Sequence, residues 1–264
     1  MNKSEKNKPI GILDSGVGGL TAVVPVQKLL PNESIIYLGD SLRMPYGNKH
    51  PDEITELAGS LIDFLEKQGV KAILLACNTI SAHIEKLKSS VRLISIIDAG
   101  AAAAAETVKE PAAGLIATYA TVQSGMYEKK ISQKCPSLEI ISNSSASLPK
   151  IIDSQLENLD LLNENIREII DPILLSSSEI KSLILGCSHF PIIKNEINDL
   201  YPQINLIDPA EKQAEILKKY LTENDLLSDK EPTLTLYTTA ETYEFAAAVK
   251  RLHLDIDALI KVSL

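Results

Sequence analysis

Leu74-Leu75-Ala76-Cys77-Asn78-Thr79 and Leu183-Ile184-Leu185-Gly186-Cys187-Ser188-His189 share one construction: an apolar run, a small residue, a cysteine, then small polar residues. Each apolar run reads as a buried parallel strand. The cysteine then falls at the strand's C-terminal end, where open α/β sheets bind their ligands. Two such thiols in repeated context suggest a site with one thiol on each side of a small molecule.

A second matched pair flanks the first. Gly11-Ile12-Leu13-Asp14-Ser15-Gly16 and Gly114-Leu115-Ile116-Ala117-Thr118-Tyr119-Ala120-Thr121 are both strands that run into small polar residues. The spacing is similar in the two halves: 63 residues from Asp14 to Cys77 and 69 from Thr118 to Cys187. Apolar and amphipathic segments alternate elsewhere. Strand candidates are 10–13, 35–38, 72–76, 93–97, 115–117, 138–141, 183–185, 204–207 and 234–237. Helical periodicity fits 20–30, 52–68, 81–87, 101–109, 122–134, 156–175 (with a break near Pro172), 192–199, 211–221 and 241–252. Ala101–Ala105 reads as a close-packing helix face. This alternation gives an α/β class with mostly parallel sheets. Two similar α/β domains are expected to face each other with the site in the cleft between them, and the tail from about Ala210 onward can return to complete the first.

The chain has 264 residues, 45% of them hydrophobic, enough for substantial cores. No apolar run approaches the ~20 residues of a membrane span. The charged start, Met1 to Lys8, is followed only by Pro9–Leu13, too short for a signal peptide. A cytoplasmic protein is expected. The net charge of −9 argues against nucleic acid and anionic membranes as partners. A small anion can still be held by backbone N–H groups. Three cysteines without a CxxC pair disfavour a disulfide framework and a zinc ribbon. Cys135, in Gln133-Lys134-Cys135-Pro136, reads as structural, and no metal ligand set is expected.

A free thiol has a pKa of about 8.5, so it needs a neighbour to act as a base at neutral pH. Both cysteines precede segments able to start helices, whose N-terminal partial charge favours thiolate. His189 lies two residues past Cys187 and can trade a proton with it. Asp14 ends the first strand; beside Cys77 it suits a proton acceptor during turnover. Asp14-Ser15-Gly16-Val17-Gly18-Gly19-Leu20-Thr21 is a glycine-rich turn but lacks the GxGxxG and P-loop spacings. Its N–H groups can cradle a carboxylate. Asp40-Ser41-Leu42-Arg43-Met44-Pro45-Tyr46-Gly47 reads as an ordered loop at the same sheet edge. Neither cysteine is followed by the CxxxxxR pattern of thiol phosphatases. Ser15, Asn78, Thr79, Thr118, Thr121 and Ser188 can hold a polar substrate, or equally cap helices and turns. Two facing thiols can remove a proton from a carbon next to a carboxylate on one face and return one on the other, without a cofactor.

In these motifs the chain resembles the glutamate racemases of the cofactor-independent aspartate/glutamate racemase superfamily. The likeness rests on 11–21, Tyr37-Leu38-Gly39-Asp40-Ser41 with Pro45-Tyr46-Gly47, Ala76-Cys77-Asn78-Thr79 with Ser81-Ala82, Ala117–Val122 with Ser124 and Tyr127, and Leu185-Gly186-Cys187-Ser188-His189-Phe190-Pro191. It implies two flavodoxin-like domains, the first completed by the C-terminal segment. It implies Cys77 and Cys187 as acid/base residues with Asp14 and His189 as helpers. Ser15, Pro45, Tyr46, Gly47, Asn78, Thr79, Thr118 and Ser188 would contact the amino acid. The family supplies D-glutamate for peptidoglycan and is usually a homodimer. Ser188 replaces the family's usual Thr, and Phe190 its usual Tyr. In Asn143–Asp153, Pro149 aligns, Ile152 takes the place of a Glu near the site, and Asp153 stands one residue off. Two alternatives stay open: a racemase of a related substrate such as aspartate or a hydantoin-like compound, and a glutamate-binding protein that has lost turnover.

Overall fold

Ten strands form two parallel sheets in the computed structural model, which describes residues 5–264. The strands are β1 (Ile10–Asp14), β2 (Ile35–Gly39), β3 (Ala72–Leu75), β4 (Arg92–Ser95), β5 (Ala112–Ala117), β6 (Glu139–Ser144), β7 (Ser182–Gly186), β8 (Asn205–Ile207), β9 (Leu234–Thr238) and β10 (Ala258–Lys261). The larger sheet has the order β10-β9-β2-β1-β3-β4 and the smaller β6-β5-β7-β8. All pairings are parallel. Each sheet therefore brings its C-terminal loops to one edge. The last strands, β9 and β10, return to the larger sheet.

Helices link the strands: α1 (Val23–Leu29), α2 (Pro51–Lys67), α3 (Asn78–Ser81), α4 (Ile96–Thr107), α5 (Tyr119–Gln123), α6 (Met126–Lys134), α7 (Leu148–Ser154), α8 (Leu159–Ser176), α9 (Lys194–Leu200), α10 (Pro209–Glu223) and α11 (Thr242–Arg251). None of them, among the described residues, is long and apolar enough to cross a membrane. One apolar cluster runs from Ile12 and Leu74 of the larger sheet, through α4 and α10, to Leu115 and Ile184 of the smaller. The alanine run serves this contact: Ala101 and Ala104 are fully buried where α4 meets α6 and α10. Small side chains let helix axes approach closely.

The local differences from expectation have physical causes. The strand expected over 93–97 ends at Ser95, whose hydroxyl accepts from the N–H groups of Ile97 and Asp98, both at 3.1 Å, and so starts α4. The helix expected over 122–134 is split between α5 and α6 at Gly125, which has φ +61°. The segment 81–87 is not one helix; α3 stops at Ser81 and a single 3₁₀ turn follows at Ile84–Lys86. Pro172 does not break α8. It lies on the exposed face, as does Glu168, whose carbonyl loses its partner and can bond water instead. Met1–Ser4 of the charged start lie outside the described residues. The rest of that start is tied down: Lys6 pairs with Asp229 at 2.6 Å.

The end of the larger sheet away from the cysteines is held by a buried ion pair. Lys71 Nζ lies 2.5 Å from Glu33, with both side chains almost fully buried. The same ammonium donates to the carbonyls of Lys6 (2.6 Å) and Leu226 (2.8 Å), and Glu33 accepts from Ser228 N–H at 2.8 Å. Removing one partner would leave a buried, uncompensated charge. Lys71→Met is expected to lower stability by about 3–5 kcal/mol in urea denaturation; a loss below about 1 kcal/mol would contradict this account.

Candidate active site

A narrow cavity of about 60 Å³ lies where the C-terminal loops of the two sheets face each other. The loop after β1 gives it Ser15, that after β2 gives Pro45, Tyr46 and Gly47, and that after β3 gives Cys77, Asn78 and Thr79. From the smaller sheet come Thr118 after β5 and Cys187, Ser188 and His189 after β7. Of the expected site residues, Asp14 and Thr121 are off the cavity wall; Thr121 is buried behind Thr118. The Asp14 carboxylate is fully buried behind the turn that follows β1, accepting from Gly16 N–H at 2.9 Å.

That turn brings the two halves together. A Cβ on Gly18 would lie 2.5 Å from His189 Nδ1 and 2.7 Å from Ser188 Oγ. One on Gly19 would lie 2.4 Å from Asp14 Cβ. The Thr21 hydroxyl lies 2.9 Å from the Gly18 carbonyl and 3.0 Å from the Ser188 carbonyl, where it donates across the seam. Opposite, the hydroxyl of Thr79 meets those of Thr118 at 3.0 Å and Thr121 at 3.4 Å.

The 40–47 loop is organised by Asp40, which is fully buried. Its carboxylate accepts from Arg43 Nε at 2.6 Å, from Thr239 Oγ1 at 2.7 Å and from the Tyr46 hydroxyl. The Tyr46 phenol is thus committed to Asp40. What it offers the cavity is its ring and backbone.

The two thiols have different surroundings. Cys77 Sγ donates to Ser15 Oγ at 3.5 Å. Burial, then the Asp14 carboxylate, pushes its thiol up to about 12. The expected helix-end stabilisation of thiolate fails here, because α3 is a single turn and does not offset those effects. Burial also raises Asp14 above the ordinary carboxylate range. The charge of His189 and hydrogen bonds from Gly16, Ser188 and Gly19 offset this only in part. Cys187 Sγ lies 3.7 Å from His189 Nδ1, and the segment after it forms a 3₁₀ turn rather than an α-helix start.

His189 has a partner that motif reasoning misses. Its Nε2 lies 3.1 Å from Asp153 Oδ2. Burial alone would depress the imidazole pKa, but the Asp153 charge and hydrogen bond, joined by the Cys187 sulfur, hold it well above 6.5. The reason lies in the phase of α7. Leu148, Ile151 and Ile152 face the core, while Pro149, Lys150 and Asp153 line the cavity. Residue 153 shares a face with 149, one turn earlier. The carboxylate one residue off in sequence therefore faces the site, and Ile152 does not. The spacing from Pro149 was the available signal.

With this geometry in view, the family model described as Asp/Glu/Hydantoin racemase matches residues 23–217. A protein named glutamate racemase 1 from Caldanaerobacter subterraneus is 37% identical over 86% of this chain and 85% of its own length. Two solved structures cover 98% of both chains. A glutamate racemase isoform from Bacillus anthracis superposes with a TM-score of 0.91 at 32% identity. A glutamate racemase from Francisella tularensis, in complex with D-glutamate, gives 0.88 at 36%.

The Asp153–His189 contact has a direct spectroscopic consequence. In a pH titration followed by NMR of the imidazole nitrogens, His189 is expected to titrate well above 6.5, and Asp153→Asn to lower its midpoint by about one unit or more. A midpoint that Asp153→Asn leaves unmoved would contradict the assignment.

Proposed function

This chain belongs to the Asp/Glu/hydantoin racemase family, and within it we propose that it interconverts L- and D-glutamate by proton transfer between two cysteines. The observation that carries this is one cavity lined by Cys77 and Cys187, from equivalent strand ends of two sheets, each beside its own hydrogen-bonding partner. The names of the relatives support glutamate as substrate.

In this mechanism one sulfur, as thiolate, removes the α-proton, and the thiol on the other face returns a proton. Inversion follows because the two groups act from opposite sides. Cys77, with its raised pKa, rests as the thiol and is a proton donor in one direction. To act as a base it must first give up that proton. Asp14, raised toward the thiol, is the proposed acceptor, since proton transfer is most efficient between groups of nearer pKa. His189, held protonated by Asp153, works the other way round for Cys187: it supplies positive charge beside that sulfur as thiolate and can give it a proton. Ser15, Asn78, Thr79, Thr118 and Ser188, with the backbone of Pro45–Gly47, hold the ammonium and carboxylates while charge builds at the α-carbon. This chemistry uses no cofactor. The Asp153–His189 contact favours turnover over a binding-only role, because the departure at Ile152 leaves the site with its carboxylate.

We further assign residues 1–97 with 208–264 and residues 98–207 as the two domains that close on the substrate. The proposed setting is the cytoplasm, where a homodimer supplies D-glutamate to peptidoglycan.

Circular dichroism of L-glutamate and, in parallel, L-aspartate tests the reaction. Wild type is expected to racemise glutamate in preference to aspartate, and Cys77→Ser or Cys187→Ser to lose at least about 10²-fold in rate. Preference for aspartate would overturn the substrate, and full activity in both variants would overturn the two-thiol assignment. The enantiomers are equal in energy, so kcat/KM must match in the two directions. Because the two thiols have different partners, the kcat–pH profiles of the two directions are expected to differ; superimposable profiles would contradict distinct helpers.

A further inference from the structure

Asn78 lines the cavity, but the group that orients it comes from the other half of the molecule. Tyr127, in α6, donates its hydroxyl proton to Asn78 Oδ1 at 2.7 Å. Its ring is fully buried. The ring fits against α4 only because residue 100 is glycine: a Cβ there would lie 2.8 Å from Tyr127 Cε1 and 3.0 Å from its hydroxyl oxygen. Burial, then the charges of Asp208, Cys187 and Glu128, drives the phenol pKa far up, so the hydroxyl keeps its proton at any working pH.

An asparagine amide presents an acceptor on one side and two donors on the other. With Oδ1 taken by the tyrosine, the Nδ2 hydrogens are left for the cavity. The flipped amide would turn an oxygen toward a bound carboxylate and would leave the phenol proton buried without an acceptor. Both consequences oppose the flip.

We infer that Tyr127 is a positioning residue, which fixes the Asn78 amide so that its N–H₂ faces a substrate carboxylate. This rests on the amino-acid substrate proposed above. Gly100, Tyr127 and Asn78 then form a chain from the packed α4–α6 contact to the substrate, and α6 contributes to binding without touching the ligand.

A double-mutant cycle separates this role from a packing role. Calorimetric titration with racemic glutamate, which turnover leaves unchanged, would compare wild type, Tyr127→Phe, Asn78→Ala and the double variant, with a thermal melt of each. Tyr127→Phe is expected to weaken binding roughly tenfold, and to weaken it by less than about twofold when Asn78 is already alanine. Equal losses in both backgrounds, or a lower melting temperature with unchanged binding, would overturn the inference alone. Failure of wild type to bind glutamate would overturn the substrate and the inference together. If Tyr127→Phe does not fold, NMR of wild type decides: the Asn78 side-chain NH₂ signals are expected to shift on glutamate addition, and their staying fixed would overturn the inference.

Discussion

The close approach of the Gly18–Gly19 turn to the loop after β7 is the constraint on which the site depends. Two parallel sheets each bring their loops to one edge, but that alone does not make a shared cavity. The turn after β1 must lie against Ser188 and His189 at distances no Cβ permits, and Thr21 then bridges to the Ser188 carbonyl. On the other side the hydroxyls of Thr79, Thr118 and Thr121 close the seam. The cavity wall thus combines loops of both sheets, and the common core through α4 and α10 fixes their spacing. A side chain at Gly18 would part the two halves beside Cys187, and one at Gly19 would press on Asp14 instead.

The site is duplicated in layout but not in electrostatics. Around Cys77, burial and a neighbouring carboxylate both favour the protonated sulfur. Around Cys187, an imidazole with a carboxylate behind it supplies positive charge. Asp14 belongs to both environments, since it raises Cys77 and is itself lowered by the charge of His189. Asp14 and His189 are therefore coupled through the seam, and a proton moved on one side is felt on the other.

Much of this was legible in the residues. Apolar runs located nine of the ten strands, and the repeated strand-to-cysteine pattern located both thiols. The strand that escaped, β10, is a four-residue, partly exposed edge, too short to show as a buried run. Helix boundaries went astray where a local group decided them: the Ser95 cap, the left-handed Gly125, and a proline on an exposed face. Asp153 was visible as a residue, but its role depends on the phase of α7, which one-residue alignment to Ile152 hides. The commitment of the Tyr46 phenol to Asp40, and of Tyr127 to Asn78, comes from contacts between distant segments, which no local pattern encodes.

The central claim is that two different sulfurs serve the two faces of one α-carbon. Racemisation of L-glutamate in heavy water, stopped early and resolved into its enantiomers, tests it most directly. Each newly formed D-glutamate should carry deuterium at the α-carbon, because the proton it receives comes from a thiol equilibrated with solvent, while the remaining L-glutamate keeps its protium. Protium carried from substrate into the D-glutamate formed would mean that one group removes and returns the same proton, and would contradict the account.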